Sequence, residues 1–257
     1  MDESYEAIRL MASILFNPDF CVVDETPAWI VVNKPPHLLS HPTNPGNPPT
    51  LWDGLRGLLA YEIVNGVRLS VITRLDRDTS GLVLVAKNPK TARVLSLAMQ
   101  RGHIAKEYLA IVWGWPSNDR WEVDAPILRR GEVEDSRIWV KQMVHPSGRS
   151  CVTGFQMERR WERREGRFAL VRCFPRTGRM HQIRVHLAHS GLPILGDKIY
   201  GLDEGCYLEF IETGWTESLQ QRHLLNRHAL HASRLTWRGL QWDAELAPDL
   251  RGFLEPQ

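Results

Sequence analysis

At 257 residues, with 43% apolar and 24% charged residues, the chain can bury a large core and has an ordinary globular balance. No apolar run approaches the roughly 18 residues of a membrane-spanning helix, and four scattered cysteines without a Cys-x-x-Cys pair argue against a disulfide framework. The net charge of +2 hides an asymmetry: Arg137 to Tyr200 holds 13 Lys and Arg against 4 Asp and Glu, which suits a polyanionic partner or a solvated arginine-rich hairpin.

Residues 1–19 form a short N-terminal extension that reads as an amphipathic helix, with Ile8, Met11, Ala12 and Leu15 on one face and Pro18 at its end. Its acidic start is unlike a basic secretory signal, so free thiols in the cytoplasm are the expected state. Residues 20–257 read as a single domain. Cys21-Val-Val-Asp and Trp29 to Lys34 are strand-like runs split by Glu-Thr-Pro, a hairpin signal. Residues 41–50 form a proline-rich loop, after which Thr50 caps a helix running to about Val64. Leu82 to Ala86 has the continuous apolar character of a buried strand. Asn88-Pro89 then opens a helix to about Gln100. Ile104 to Trp113, Pro126 to Leu128, Arg137 to Val144, Cys151 to Trp161 and Arg167 to Phe174 continue the β pattern. The last two are joined by a hairpin carrying Arg159, Arg160, Arg163, Arg164 and Arg167. Arg179 to His189 reads as helical, 201–227 as irregular or partly helical, and Leu230 to Glu245 as a hairpin around Gly239. Many strands with few βαβ alternations predict an α+β fold, a large, mostly antiparallel mixed β-sheet with flanking helices and loops. Of ten tryptophans, Trp29, Trp113, Trp139, Trp161 and Trp237 fall in strand-like runs and are expected to pack in the core or hairpins.

Two stretches stand out chemically. Thr73 to Lys87 opens with two Arg-x-Asp steps, followed by a Thr-Ser-Gly turn and the apolar strand. A carboxylate flanked by arginines at the entrance to a buried strand is either a structural ion pair or a used group, and Asp76 is the candidate nucleophile. An ionised nucleophile calls for a cation that lowers its pKa. Arg74 and Arg77 neighbour it, but on an extended segment they point to opposite sides from their neighbours, so a partner from elsewhere in the chain is expected. The second stretch, Gly178 to Leu187, packs Arg179, His181, Gln182, Arg184 and His186 into eight residues. This is a donor set suited to phosphates and base edges, or to a solvated helix face. The histidine spacings do not match a zinc motif and no acid or cysteine lies among them, so no metal is expected. Asp76-Arg-Asp78-Thr79 also fits the Asp-x-Asp-x-Thr loop of haloacid-dehalogenase-type phosphatases. In those, however, the strand precedes the motif in a parallel fold.

Arg74-Leu-Asp76-Arg-Asp-Thr79-Ser80-Gly81-Leu, Lys106-Glu-Tyr108-Leu-Ala and Gly178-Arg179-Met-His181-Gln182-Ile-Arg184-Val-His186 resemble, in order, the signature blocks of RluA-type pseudouridine synthases. Val32-Asn-Lys-Pro-Pro, Pro193-Ile-Leu-Gly-Asp-Lys-Ile-Tyr-Gly and Leu230-His-Ala-Ser-Arg-Leu extend the likeness over about residues 20–250. The resemblance implies a pseudouridine synthase-like catalytic domain without an S4 domain. Such a domain is a cofactor-free, metal-free isomerase, taken to be monomeric, acting on uridines of ribosomal or transfer RNA. It implies Asp76 as the nucleophile on a flipped-out uridine, Tyr108 as the residue stacking on the base, and Arg184 as the cation pairing with the catalytic Asp. Arg74 would fill the gap left by the flipped base, and Arg77, Arg179, His181, Gln182 and His186 would bind RNA. Thr73 stands where the family usually has His, and Met180 where Thr or Ser is common. A non-catalytic RNA-binding protein on the same fold is the alternative.

Overall fold

The structure, a computed structural model, describes residues 19–42 and 49–255. The expected N-terminal helix and most of the proline-rich loop therefore lie outside the described residues. The chain divides into two compact units, one drawn from residues 1–104 and 234–247, the other from 105–233 and 248–257.

In the first unit, β1 (Cys21–Glu25) pairs antiparallel with β2 (Trp29–Lys34), and β2 pairs antiparallel with β4 (Ser80–Ala86). All seven residues of β4 are buried, and the short β3 (Ser70–Val71) pairs with its far end. Each Leu or Val placed there contributes roughly 1.5–3 kcal/mol of burial. The helix expected from Thr50 forms but breaks at Leu59 into α1 (Leu51–Leu58) and α2 (Ala60–Val64). Its start is fixed by the Asp53 carboxylate, which accepts from the Thr50 N–H and hydroxyl, each at 2.8 Å. Asn88 caps α3 (Pro89–Gln100), accepting from the Thr91 N–H at 2.9 Å. Leu95 and Ala98 of α3 join Val31, Leu82, Leu84 and Trp242 in one core cluster. At the cluster's edge the Asp24 carboxylate accepts both the Trp29 and the Trp242 indole N–H, at 3.0 and 2.7 Å. Those two bonds, Trp29's first, hold it below the usual carboxylate range.

In the second unit the strands run in the order β5 (Ala105–Trp113), β10 (Gly166–Pro175), β9 (Val152–Arg163), β6 (Arg120–Asp124), all antiparallel neighbours. A separate pair, β7 (Ile127–Arg129) and β8 (Gln142–Val144), packs over α4 (Gln182–His189) through Ile127, Val144, Val185 and Tyr200. The strand expected over Arg137 to Val144 is confined to its last three residues. Trp139, expected to pack, is 75% exposed with the Arg129 guanidinium 3.8 Å from its ring centroid. The interval 201–227 holds α5 (Gly205–Thr213) and α6 (Glu217–His223). β11 (Leu230–Trp237) starts in this unit and ends in the first, where its Arg234–Trp237 half pairs with β12 (Leu240–Asp243) around Gly239. α7 (Pro248–Leu254) docks Phe253 edge-on to Phe168.

The arginine hairpin between β9 and β10 is partly structural. Arg163 donates to the Phe253 and Glu255 carbonyls at 2.6 and 2.7 Å, and Arg167 lies over the Trp115 ring. Arg160 and Arg164 are exposed.

Candidate active site

The loop carrying Asp76 is held by buried polar groups rather than by hydrophobic packing alone. Lys34, wholly buried at the end of β2, donates to the carbonyls of Pro35, Leu38 and Arg77 at 2.7, 2.8 and 3.1 Å. A buried ammonium is tolerable only when its protons are met, and here three carbonyls fix the loop's backbone one residue beyond Asp76. Ser40 clamps the residue before it, giving its hydroxyl proton to the Leu75 carbonyl at 2.9 Å and lying 3.2 Å from the Leu75 N–H. The Asp76 carbonyl accepts from the Thr79 N–H at 3.2 Å, closing the turn into β4. Thr73 is buried, and its hydroxyl accepts from the Leu84 N–H at 2.8 Å. Asp78 belongs to the turn, 3.1 Å from His37 Nδ1 and 3.8 Å from Arg77 Nε. Along 73–76 the side chains alternate, with Thr73 and Leu75 buried, Arg74 exposed and Asp76 half-buried. Arg77 is exposed.

In the second unit, Lys106 and Tyr108 lie on one face of β5, and Glu107 on the other face pairs with Arg172 at 3.0 Å. The segment from Gly178 begins with a turn, so α4 starts at Gln182 rather than Arg179. His181, at φ 57°, sits in the left-handed region at the helix entrance. The following side chains form a closed chain of hydrogen bonds. Gln182 Oε1 accepts from the Thr177 hydroxyl at 2.7 Å and the Arg179 N–H at 3.0 Å. Its Nε2 donates to the Val152 carbonyl and Thr153 Oγ1 at 3.0 and 2.9 Å. Thr153 then lies 2.9 Å from His186 Nδ1, and His186 Nε2 lies 3.0 Å from the Ala125 carbonyl. A carbonyl only accepts, so the ring proton is on Nε2 and Nδ1 accepts from Thr153. Burial pushes the His186 pKa down, keeping the ring neutral. As placed, Gln182 and His186 face the interior and tie α4 to β9. Their polar atoms bond to Thr177, Arg179, Val152, Thr153 and Ala125.

Arg184 is buried and bidentate to Asp197, with Nε–Oδ2 at 2.7 Å and Nη2–Oδ1 at 2.9 Å. Asp197 also accepts the Ile199 and Tyr200 N–H groups, each at 3.0 Å. Burial alone would push its pKa up, but the Arg184 guanidinium and these bonds outweigh that and hold it well below the carboxylate range. Tyr200 lies under Arg184, 5.0 Å from ring centroid to guanidinium carbon, and its hydroxyl accepts from the Gln142 N–H at 2.8 Å. The same oxygen is 2.8 Å from His181 Nδ1. Arg179 is exposed, its Nε 3.3 Å from the Ser150 carbonyl. Met180 is exposed. Among the described residues no group of three or more His, Cys, Asp or Glu is placed to hold a metal ion.

The backbone that delivers Asp197 depends on one glycine. Gly196 has φ +74°, and a Cβ there would lie 2.1 Å from the Arg227 carbonyl oxygen. Gly196→Ala combines a strained conformation with a backbone collision and is expected to lower stability by about 3 kcal/mol or more. Thermal unfolding followed by circular dichroism checks it; a midpoint matching wild type would mean the segment relaxes freely.

Residues 28–189 match the family model described as RNA pseudouridylate synthase. The chain belongs to this family. A curated pseudouridine synthase relative, ribosomal large subunit pseudouridine synthase D of Haemophilus ducreyi, is 38% identical over 184 residues, covering 70% of this chain and 52% of the relative. The uncharacterized RNA pseudouridine synthase YlyB of Bacillus subtilis is 35% identical over 198 residues, covering 76% of this chain and 61% of its own length. The chain thus spans between half and two thirds of these two curated relatives. The solved human RNA pseudouridylate synthase domain containing 4 superposes with a TM-score of 0.67 at 22% identity, covering 97% of this chain and 96% of that one. This likeness supports the mixed α+β fold with its mostly antiparallel sheet. The stretch matching the pseudouridine synthase model contains Asp76, Tyr108, Arg179, His181 and Arg184 but stops before Asp197 and Tyr200. Lys34, Asp197 and Tyr200 had no role from sequence, although each lies within a quoted match to the family. Asp197 carried a further signal as the sole acid between Glu165 and Asp203.

Proposed function

We propose that this protein is an RNA pseudouridine synthase that isomerises particular uridines of ribosomal or transfer RNA. The observation that carries the reading is the retention of Asp76, Tyr108 and Arg184, each in its ordered family block, within the matched residues 28–189. Asp76 attacks the flipped-out uridine. The bond between N1 and the ribose breaks, the uracil turns, C5 joins the ribose carbon, and the bond to Asp76 breaks to return the free carboxylate. C5 then loses its hydrogen to solvent while N1 gains one, so atoms balance without a cofactor. Tyr108 stacks on the uracil and Arg184 supplies positive charge to the reaction. Flipping costs a few kcal/mol of lost stacking, which an inserted Arg74 and the stacked ring offset. Arg77 and Arg179 present charge to solvent and contact the RNA together with His181, on a turn that Gln182 and His186 tie to β9. The enzyme acts as a cytoplasmic monomer and needs no metal, and residues 20–257 serve as one catalytic domain.

Pseudouridine mapping of total RNA from a strain lacking this protein, against its parent, is expected to show loss of modification at one or a few uridines. An unchanged map, together with no tritium release from 5-tritiated uridine in RNA by the purified protein, would overturn the reading. RNA binding that persists in that case would leave the non-catalytic alternative.

A further inference from the structure

We propose that Lys106 and the turn Thr177–Gly178–Arg179 form a binding corner for a phosphodiester of the RNA, beside the Tyr108 face of β5. This rests on the RNA-modifying reading and adds a residue to it. Lys106 Nζ donates to the Thr177 carbonyl at 2.9 Å, which joins the β5 block to the turn before α4. An ammonium has three protons, and among the described residues that carbonyl is its acceptor and no carboxylate lies within ion-pair distance. The buried Lys34 and Lys87 differ. Lys34 meets three carbonyls, and Lys87 is bonded to Glu25 at 2.7 Å. Two donors of Lys106 are therefore left for a ligand.

The corner is open where a ligand must enter. Gly178 is exposed, and a Cβ there would stand 3.5 Å from Lys106 Nζ, so the missing side chain leaves the ammonium approachable. The exposed Arg179 adds a second cation on the same turn. Burial pulls the Lys106 pKa down to about 8, a cost that an anion alongside it would relieve. A phosphate oxygen accepting from Lys106, with the guanidinium of Arg179 nearby, satisfies both cations. Lys106 and Tyr108 are two residues apart on one face, about 7 Å along the strand. The corner would therefore hold backbone close to the stacked base.

Binding of a uridine-containing RNA stem-loop, followed by fluorescence anisotropy over a series of sodium chloride concentrations, tests the corner. For Lys106→Met the slope of log affinity against log salt is expected to shrink by about 0.7–0.9, the loss of one phosphate contact. Lys106→Arg is expected to restore most of it. An unchanged slope in folded Lys106→Met overturns the proposal. Should that variant fail to fold, acetylation of the wild-type protein decides. RNA should protect Lys106 at least fivefold relative to the exposed Lys90, and equal labelling overturns the proposal. A wild-type protein that makes no pseudouridine yet shows a Lys106-dependent slope would keep the phosphate corner and discard the isomerase reading.

Discussion

Asp76→Asn is expected to abolish tritium release from 5-tritiated uridine in RNA, by a factor of at least about 10⁴, while RNA affinity changes less than about threefold. The amide is nearly isosteric but has no anionic oxygen to attack, so the loss should fall on turnover. The loop's geometry should survive, because the groups that set it are main-chain atoms and neighbours. The Lys34 ammonium holds the Arg77 carbonyl, Ser40 holds Leu75, and the Asp76 carbonyl accepts from Thr79. Unaltered stability in the variant would separate a chemical loss from a folding one. Full activity would remove Asp76 as nucleophile and return it to the structural ion pair that the flanking arginines equally allow. Magnesium-dependent phosphate release lost with the same substitution would favour the phosphatase alternative.

What could be read in the sequence was what local pattern determines. β4 was legible because its run is continuously apolar and buried on both faces, and α3 because Asn88-Pro89 supplies cap and first-turn residue together. β6 was missed. Arg120 to Asp124 alternates charged and apolar residues over only five positions, and its strand character comes from pairing with β9. Ile138, Trp139 and Val140 suggested a strand, but Trp139 instead lies exposed against Arg129.

At the site, counting donors revealed residue types but not their placement. Gln182 and His186 looked like RNA ligands because five donors crowd into eight residues, and nothing local reveals that Thr153 of β9 lies across two of them. The same tertiary placement moves the start of α4 to Gln182, since the Gln182 side chain occupies the Arg179 N–H. Sequence identified the residue types of the site; which of them face inward was decided by a strand about thirty positions earlier in the chain.

Asp197→Asn should lower stability by about 3–5 kcal/mol at pH 7, because it removes the charge of a buried carboxylate paired with the buried Arg184 guanidinium. It should also reduce turnover tenfold or more with little change in KM, since Asp197 positions Arg184 and contacts the Tyr200 backbone rather than RNA. Its pH dependence separates this from a merely disruptive substitution. Asp197 is held below its ordinary pKa in the folded protein, so its contribution is fully present above about pH 4. That contribution falls by about 1.4 kcal/mol for each pH unit below this. The gap between wild type and variant in urea unfolding should therefore be widest at neutral pH and narrower by about 1 kcal/mol at pH 3. A gap that stays constant from pH 7 to pH 3 would show that the carboxylate's charge does not hold Arg184 in place. The Gly196 turn that carries Asp197 would then be acting through packing alone.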